Sequence, residues 1–263
     1  VSISWIPLLI RWHLLLQKNN ICIPIKKSFL LFLAGMSMVI TPGHVGELIK
    51  SQLMKTLYAI PRTKTAPIIF IEKFYDLTGA IIASIIGIII LGMDLNLIFI
   101  SVAILFGIIF LIYYRPIFEL ILKKITKTKF FSKYSENISD SFEIVRNSTT
   151  PKISSISFVL SISYWIIISL AVHLILISFE IDSISILRTI SIYSSSVIIG
   201  AVSFIPGGMG VTEGSLIGLF TLEGIDVSLA LILSVMIRIL TMWYAVSVGF
   251  ICLKLTGGLS NSK

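Results

Sequence analysis

Four stretches of this chain, 66–92, 96–114, 153–178 and 227–253, are apolar over lengths that can cross a bilayer as helices. Composition places the chain in the same class. Hydrophobic residues make up 56% of it and charged residues 13%, against roughly 25% charged in a soluble domain. Mean hydropathy is +1.01. The net charge of +8 would suit a nucleic-acid partner, but no basic stretch is interleaved with exposed aromatics as such a module requires. The basic residues gather in a few loops, as segments facing an anionic cytoplasmic leaflet do. Charge here reports topology and excludes nucleic acid. The expectation is an all-α polytopic protein of the cytoplasmic membrane.

Two segments interrupt this apolar pattern. The longer runs Ser203-Phe204-Ile205-Pro206-Gly207-Gly208-Met209-Gly210-Val211-Thr212-Glu213-Gly214; the shorter is Thr41-Pro42-Gly43-His44-Val45-Gly46-Glu47. Backbone that leaves the helix at membrane depth is tolerated only where protein or a water-filled cavity satisfies it. Paired breaks in corresponding places of two halves point to a transport site. Pro42 and Pro206 are 164 positions apart, as are Gly46 and Gly210, and Glu47 to Glu72 and Glu213 to Arg238 both span 25. The spacing predicts a duplication.

Helices are expected near 1–16, 28–41, 46–58, 66–92, 96–114, 153–178, 186–204, 211–222 and 227–254. Between 115 and 152 the apolar character lapses. Arg115, Lys123, Lys124, Lys127, Lys129, Lys133, Arg146 and Lys152 put this stretch in the cytoplasm. Its first part, with Ile117, Leu120, Ile121 and Ile125 at helical spacing, resembles a helix lying on the membrane. From that anchor, Glu180, Asp182, Glu223 and Asp226 mark two external loops in succession, so the segment between enters and returns as a hairpin broken at Pro206–Gly210. Near the first break, Lys18, Lys26, Lys27, Lys50, Lys55, Arg62 and Lys64 lie on both flanks, so that hairpin enters from the inside; Asp94 marks the loop 93–95 as external. The organisation is two inverted halves, 1–114 and 153–263, each with a re-entrant broken-helix hairpin, joined by the basic amphipathic linker 115–152. The chain begins with Val1 inside an apolar segment, so at least one earlier helix is expected to be missing.

Glu47 and Glu213 each follow a break, near the start of a returning half-helix where amides are unpaired and the dipole end is positive. A carboxylate there can cap its own helix, meet a cationic headgroup or exchange protons. The broken backbone at 42–46 and 206–210 can also offer amides to a phosphate. Glu72 and Asp76 stand one helical turn apart on one face, with Lys73 beside them. Two carboxylates so placed need a cation, and Arg238 is the candidate, since an arginine mid-way along an apolar helix needs a counter-ion or water. Such a pair can equally be a structural lock between the halves. His44 sits in the first break, His13 near the interface and His173 on an apolar helix. Cys22 and Cys252 have no local partner. No metal-ligand spacing, phosphate-binding loop or nucleophile motif is present, so no metal, cofactor or catalytic residue is expected.

Arg11-Trp12 before a basic loop, Pro42-Gly43-x-x-Gly46-Glu47, Glu72-Lys73-x-x-Asp76, Pro206-Gly207-Gly208-x-Gly210-x-x-Glu213, and Arg238 followed by Trp243 resemble the transmembrane region of lysylphosphatidylglycerol synthases, which also occurs as stand-alone flippase-like proteins. The family usually has Arg where this chain has Lys73 and often where it has Lys50, so the bidentate fork is lost there. The resemblance implies translocation of a polar-headgroup phospholipid between leaflets. Its substrate-binding residues would be Pro42, Gly43, Gly46, Glu47, Glu72, Lys73, Asp76, Pro206, Gly207, Gly208, Gly210, Glu213 and Arg238. The aminoacyl-transferring domain of the bifunctional relatives is expected to be absent, so the chain is not expected to charge lipids itself. The alternative is the membrane-embedded part of a lipid-modifying enzyme, or a docking subunit for a separate synthase partner.

Overall fold

The computed structural model describes residues 1–91 and 138–257, without the side chains of 43–45, 86–91, 138–140 and 142. Among the described residues every regular element is a helix. In chain order these are α1 (Trp5–Lys18), α2 (Ile25–Met36), α3 (Ile49–Tyr58), α4 (Arg62–Leu91), α5 (Ile138–Ser148), α6 (Pro151–Ser178), α7 (Ile186–Val202), α8 (Val211–Leu222) and α9 (Val227–Leu255). Helix starts follow the local chemistry. α2 begins directly after Pro24, α6 takes Pro151 into its first turn, Ser185 caps α7, and Asp226 caps α9 by accepting from the Ser228 amide at 2.8 Å.

The expected helices appear with shifted limits. The one expected over 28–41 runs Ile25–Met36, because from Ser37 onward the chain closes tighter turns, Met38 N to Gly35 O and Val39 N to Met36 O. Part of the expected linker is helical, since α5 buries Ile144 and Val145. The helix expected at 96–114, the loop at 93–95 and the amphipathic part of 115–137 lie outside the described residues.

α6 and α9 are each long and apolar enough to cross a membrane, and only 33% of the most apolar window of α6 is buried. Val159, Leu170 and Leu174 therefore point outward, the reverse of a water-soluble helix. Two cores hold the chain together. One gathers Trp12, Leu15 and Leu16 of α1, Phe32 of α2, Met54 of α3, Tyr75 of α4 and Leu253 of α9. The other gathers Ala83 of α4, Trp165 and Val172 of α6, Ile192 of α7, Phe220 of α8 and Leu233 of α9. α4 runs through both cores, packing along α7 and α6, while the end of α9 packs along α2. That last crossing is very close: a Cβ on Gly249 would lie 2.2 Å from the Ser37 amide nitrogen.

Candidate functional site

Both breaks exist as departures from α-helix, and they touch one another. Pro42–Leu48 forms a tight 3-10 turn leading into α3. The second break is sharper. Phe204, Gly207, Gly208 and Gly210 all take left-handed backbone angles, φ +54, +60, +63 and +81. Three of the four are glycine, which enters that region without a Cβ penalty. Gly208 must also be glycine for space, as a Cβ would lie 2.5 Å from Thr212 Oγ1.

Of the amides expected to be open to a phosphate, those of Gly46, Gly208, Met209 and Gly210 are used internally. Gly46 N donates to Thr41 Oγ1 at 2.7 Å, Gly208 N to Ile205 O at 2.8 Å, and Gly210 N to Glu213 Oε2 at 2.6 Å. Glu213 thus caps its own helix, one of the expected roles. Its other oxygen accepts from Arg238 Nε at 2.6 Å, so the 25-residue spacing in the second half closes into an ion pair. Arg238 Nη2 also donates to Gly207 O, tying α9 to the break. Immediately beyond Arg238, α9 opens into a π turn over Ile239–Trp243. Such widened turns concentrate at functional sites.

Arg238 does not pair with Glu72 and Asp76 as the sequence suggested. Their cations come from α1 and α3. Arg11 Nη2 lies 2.6 Å from Asp76 Oδ1 and 3.9 Å from Glu72 Oε1; Lys50 Nζ lies 2.5 Å from Glu72 Oε2 and 3.4 Å from Glu47 Oε2. Lys73 Nζ closes the circuit, 2.5 Å from Glu47 Oε1 and 3.4 Å from Asp76 Oδ2. The result is a ring of alternating charge, Arg11, Asp76, Lys73, Glu47, Lys50, Glu72 and back to Arg11. Every member touches two of opposite sign, and the ring is electrically neutral. Arg11 and Lys50 are sealed, at 0% and 1% exposure, while Lys73 keeps 33% of its side chain exposed. Lys50 lies over the Trp12 ring at 4.6 Å, and its stem fills the space beside Gly35. Sequence reasoning missed Arg11 and Lys50 as site residues.

Between the ring and the second break is a cavity of about 350 Å³. Glu47, Glu72, Lys73 and Asp76 line it from one side and Gly207, Gly208 and Arg238 from the other. Val39, Ile198, Ile205 and Ala245 give it apolar walls, and Trp5, Tyr164, Trp165 and Tyr193 aromatic ones. Pro42, Gly46, Pro206, Gly210 and Glu213 shape or brace this space without lining it; the side chains at 43–45, His44 included, lie outside the described residues. His173 is packed, with Nδ1 3.1 Å from Thr189 Oγ1. Both thiols are free, Cys22 exposed and Cys252 buried.

Residues 1–249 match the model of the family described as the lysylphosphatidylglycerol synthase TM region. The chain belongs to that family. A UPF0104 membrane protein of Methanothermobacter thermautotrophicus is 32% identical to this family member over 94 residues, 36% of the chain. The matched region is 28% of that relative's length. No solved structure matches the chain.

Proposed function

We propose that this protein moves a phospholipid with a polar headgroup from one leaflet of the cytoplasmic membrane to the other. The observation that carries this reading is the cavity lined by Glu47 of the first break, by Glu72, Lys73 and Asp76 of α4 and by Arg238 of α9, beside apolar walls. A headgroup needs a polar lining to cross hydrocarbon, whereas its acyl chains do not, and intramembrane charges mark such paths. Arg238 is the phosphate contact in this reading: among the described residues its Nη1 group has no hydrogen-bond partner, and the residue lines the cavity. The side chain takes over the role that sequence reasoning gave to the break amides.

The architecture that goes with this function is a multi-pass protein of two inverted halves, 1–114 and 153–263, joined by a cytoplasmic linker at 115–152. The two breaks are then re-entrant hairpins entering from opposite faces and meeting near the midplane. Support comes from the equal spacings, the contact between the breaks and the family's membrane character.

The test is a leaflet-accessibility assay in proteoliposomes with labelled phospholipids, comparing the native chain with Arg238→Gln. Movement lost in the variant supports the reading; no movement of any phospholipid by folded native protein overturns it. The second reading, a membrane-embedded or docking part of a lipid-modifying enzyme, draws on the family's description and on a polar recess of about 620 Å³. That recess is lined by Asn19, Tyr58, Lys64, Glu143 and Asn147. A docking role would survive Arg238→Gln.

A further inference from the structure

We infer that Glu47 and Asp76 form a subsite for an alkylammonium group, and that Lys73 fills it as a displaceable stand-in. This inference rests on the cavity being the path of the substrate.

The three cations of the ring are not equivalent. Arg11 and Lys50 are sealed behind the wall and do not line the cavity; Lys73 lines it and is one-third exposed. Its ammonium bridges Glu47 Oε1 at 2.5 Å and Asp76 Oδ2 at 3.4 Å. Each of these carboxylates also has a buried cation, Lys50 Nζ 3.4 Å from Glu47 and Arg11 Nη2 2.6 Å from Asp76. If the Lys73 stem swings away, the carboxylates stay where Lys50 and Arg11 hold them. What opens is a gap between two fixed oxygens, at the cavity wall, sized for one ammonium group. A flexible four-carbon stem is suited to that withdrawal; a guanidinium fork would leave a gap of another shape.

Two further observations select a cation. Trp5, Tyr164, Trp165 and Tyr193 line the same cavity, and aromatic faces attract a cation such as an ammonium group through the ring quadrupole. The charged lining comprises three carboxylates, Glu47, Glu72 and Asp76, against Lys73 and Arg238. Exchanging one ammonium for another keeps the ring neutral, whereas an anion in Lys73's place would face three carboxylates in a weakly screening setting. The ligand chemistry is a primary alkylammonium, carried by a lipid headgroup or by a free amine.

The experiment uses full-length protein in detergent, with Lys73→Ala checked for folding by circular dichroism and size exclusion. Ethylammonium chloride is titrated against thermal unfolding, with sodium chloride at equal ionic strength and ethanol as controls. Because the self-competing side chain is gone, Lys73→Ala is expected to bind ethylammonium at least about tenfold more tightly than the native chain, in line with one charge-assisted contact. Adding Glu47→Gln should remove that gain. Lys73→Met, which keeps stem volume without charge, serves if the alanine variant does not fold. Equal stabilisation by sodium chloride, equal affinity in native and variant protein, or indifference to Glu47→Gln overturns the subsite.

Acyl-labelled phosphatidylethanolamine and phosphatidylglycerol in proteoliposomes then separate the sources. Movement favouring the ethanolamine lipid by about tenfold assigns the ammonium to a headgroup. Equal movement of both lipids, with ethylammonium still bound by the variant, assigns it to a free amine. Lipid movement without ethylammonium binding would overturn the subsite and leave the transport reading standing. Ethylammonium binding with no lipid movement would do the reverse.

Discussion

Replacing Arg11 with methionine tests the ring most directly. The guanidinium reaches from α1 to Ser161 Oγ of α6 at 2.5 Å and to Asp76 Oδ1 of α4 at 2.6 Å, with none of its side chain exposed. Methionine keeps most of the stem and removes every donor. Glu72 is not orphaned by the change, because Lys50 stays 2.5 Å away. Asp76 loses its close partner and keeps Lys73 only at 3.4 Å. Removing one partner of a buried pair costs about 3–5 kcal/mol. Asp76 is 21% exposed, so water takes up part of the loss and the low end, about 3 kcal/mol, applies. At about 2–4 °C per kcal/mol for a chain of this size, the midpoint of thermal unfolding should fall by about 6–12 °C. The assay is circular dichroism in detergent, run as a cycle with Asp76→Asn and the double variant. Because the second change removes the stranded charge, the double variant should be more stable than the sum of the singles by about 1–2 kcal/mol. A fall of about 1 °C or less for Arg11→Met, or strict additivity in the cycle, would refute the ring as a stabilising unit.

Two glycines should respond in opposite directions. Gly249→Ala drives a methyl into the Ser37 and Met36 backbone, with 2.2 Å to the Ser37 nitrogen; overpacking of this kind costs about 1–3 kcal/mol or more, read as a lower unfolding midpoint. Gly214→Ala, inside α8 with nothing within 4 Å, should raise stability by about 0.4–1 kcal/mol. Glu213→Gln keeps an acceptor for the Gly210 amide but discharges the partner of Arg238, so lipid movement should fall while helix content by circular dichroism holds. Asp226 has its pKa held below the ordinary 3.8 by the Ser228 amide. Its capping contribution is therefore complete above the unfolded value and lost as pH falls through the lower folded one. Asp226→Asn should flatten that acid limb in an unfolding series taken down to about pH 2.

Much of the site was legible because it rests on residues with few other uses. A proline and three glycines within five residues inside an apolar stretch could only be a break, and Gly207, Gly208 and Gly210 do take left-handed angles. The charges set within the apolar helices α4 and α9 were legible for the same reason, and Glu213 met Arg238 at the spacing the sequence displays. Arg11 and Lys50 escaped because a basic residue near other basic residues reads as a cytoplasmic flank. Lys50 shares α3 with Lys55, yet one is sealed and the other exposed. Only the rotation of α3 against α2 and α4 separates them. Arg11 carried a usable signal: it stands between Ile10 and Trp12 in an apolar segment, and the reasoning that demanded a partner for Arg238 demanded one for Arg11. Of the break amides, that of Gly210 was legible, because a carboxylate three residues on can cap its own helix; that of Gly46 was not, since Thr41 claims it through turn geometry.

The two halves carry the same 25-residue spacing but resolve its charges differently. In the second half the spacing joins a carboxylate to an arginine, and one pair satisfies both. In the first it joins Glu47 to Glu72, two like charges, which Lys50 must bridge. Bridging brings in Arg11 and Lys73 to balance Glu72 and Asp76, so the first break is tied into α1, α3 and α4 at once. Among the described residues, Arg238 supplies the hydrogen bond that ties the second break to α9, at the last residue before a π turn where the regular ladder loosens. In a network with every member doubly paired, each charge keeps a second partner when one contact opens, whereas opening the Glu213–Arg238 pair leaves both charges without their ion-pair partner. The cavity therefore has one wall whose carboxylates are held by the sealed cations Arg11 and Lys50 while Lys73 stays exchangeable, and one whose charge rests on a single pair.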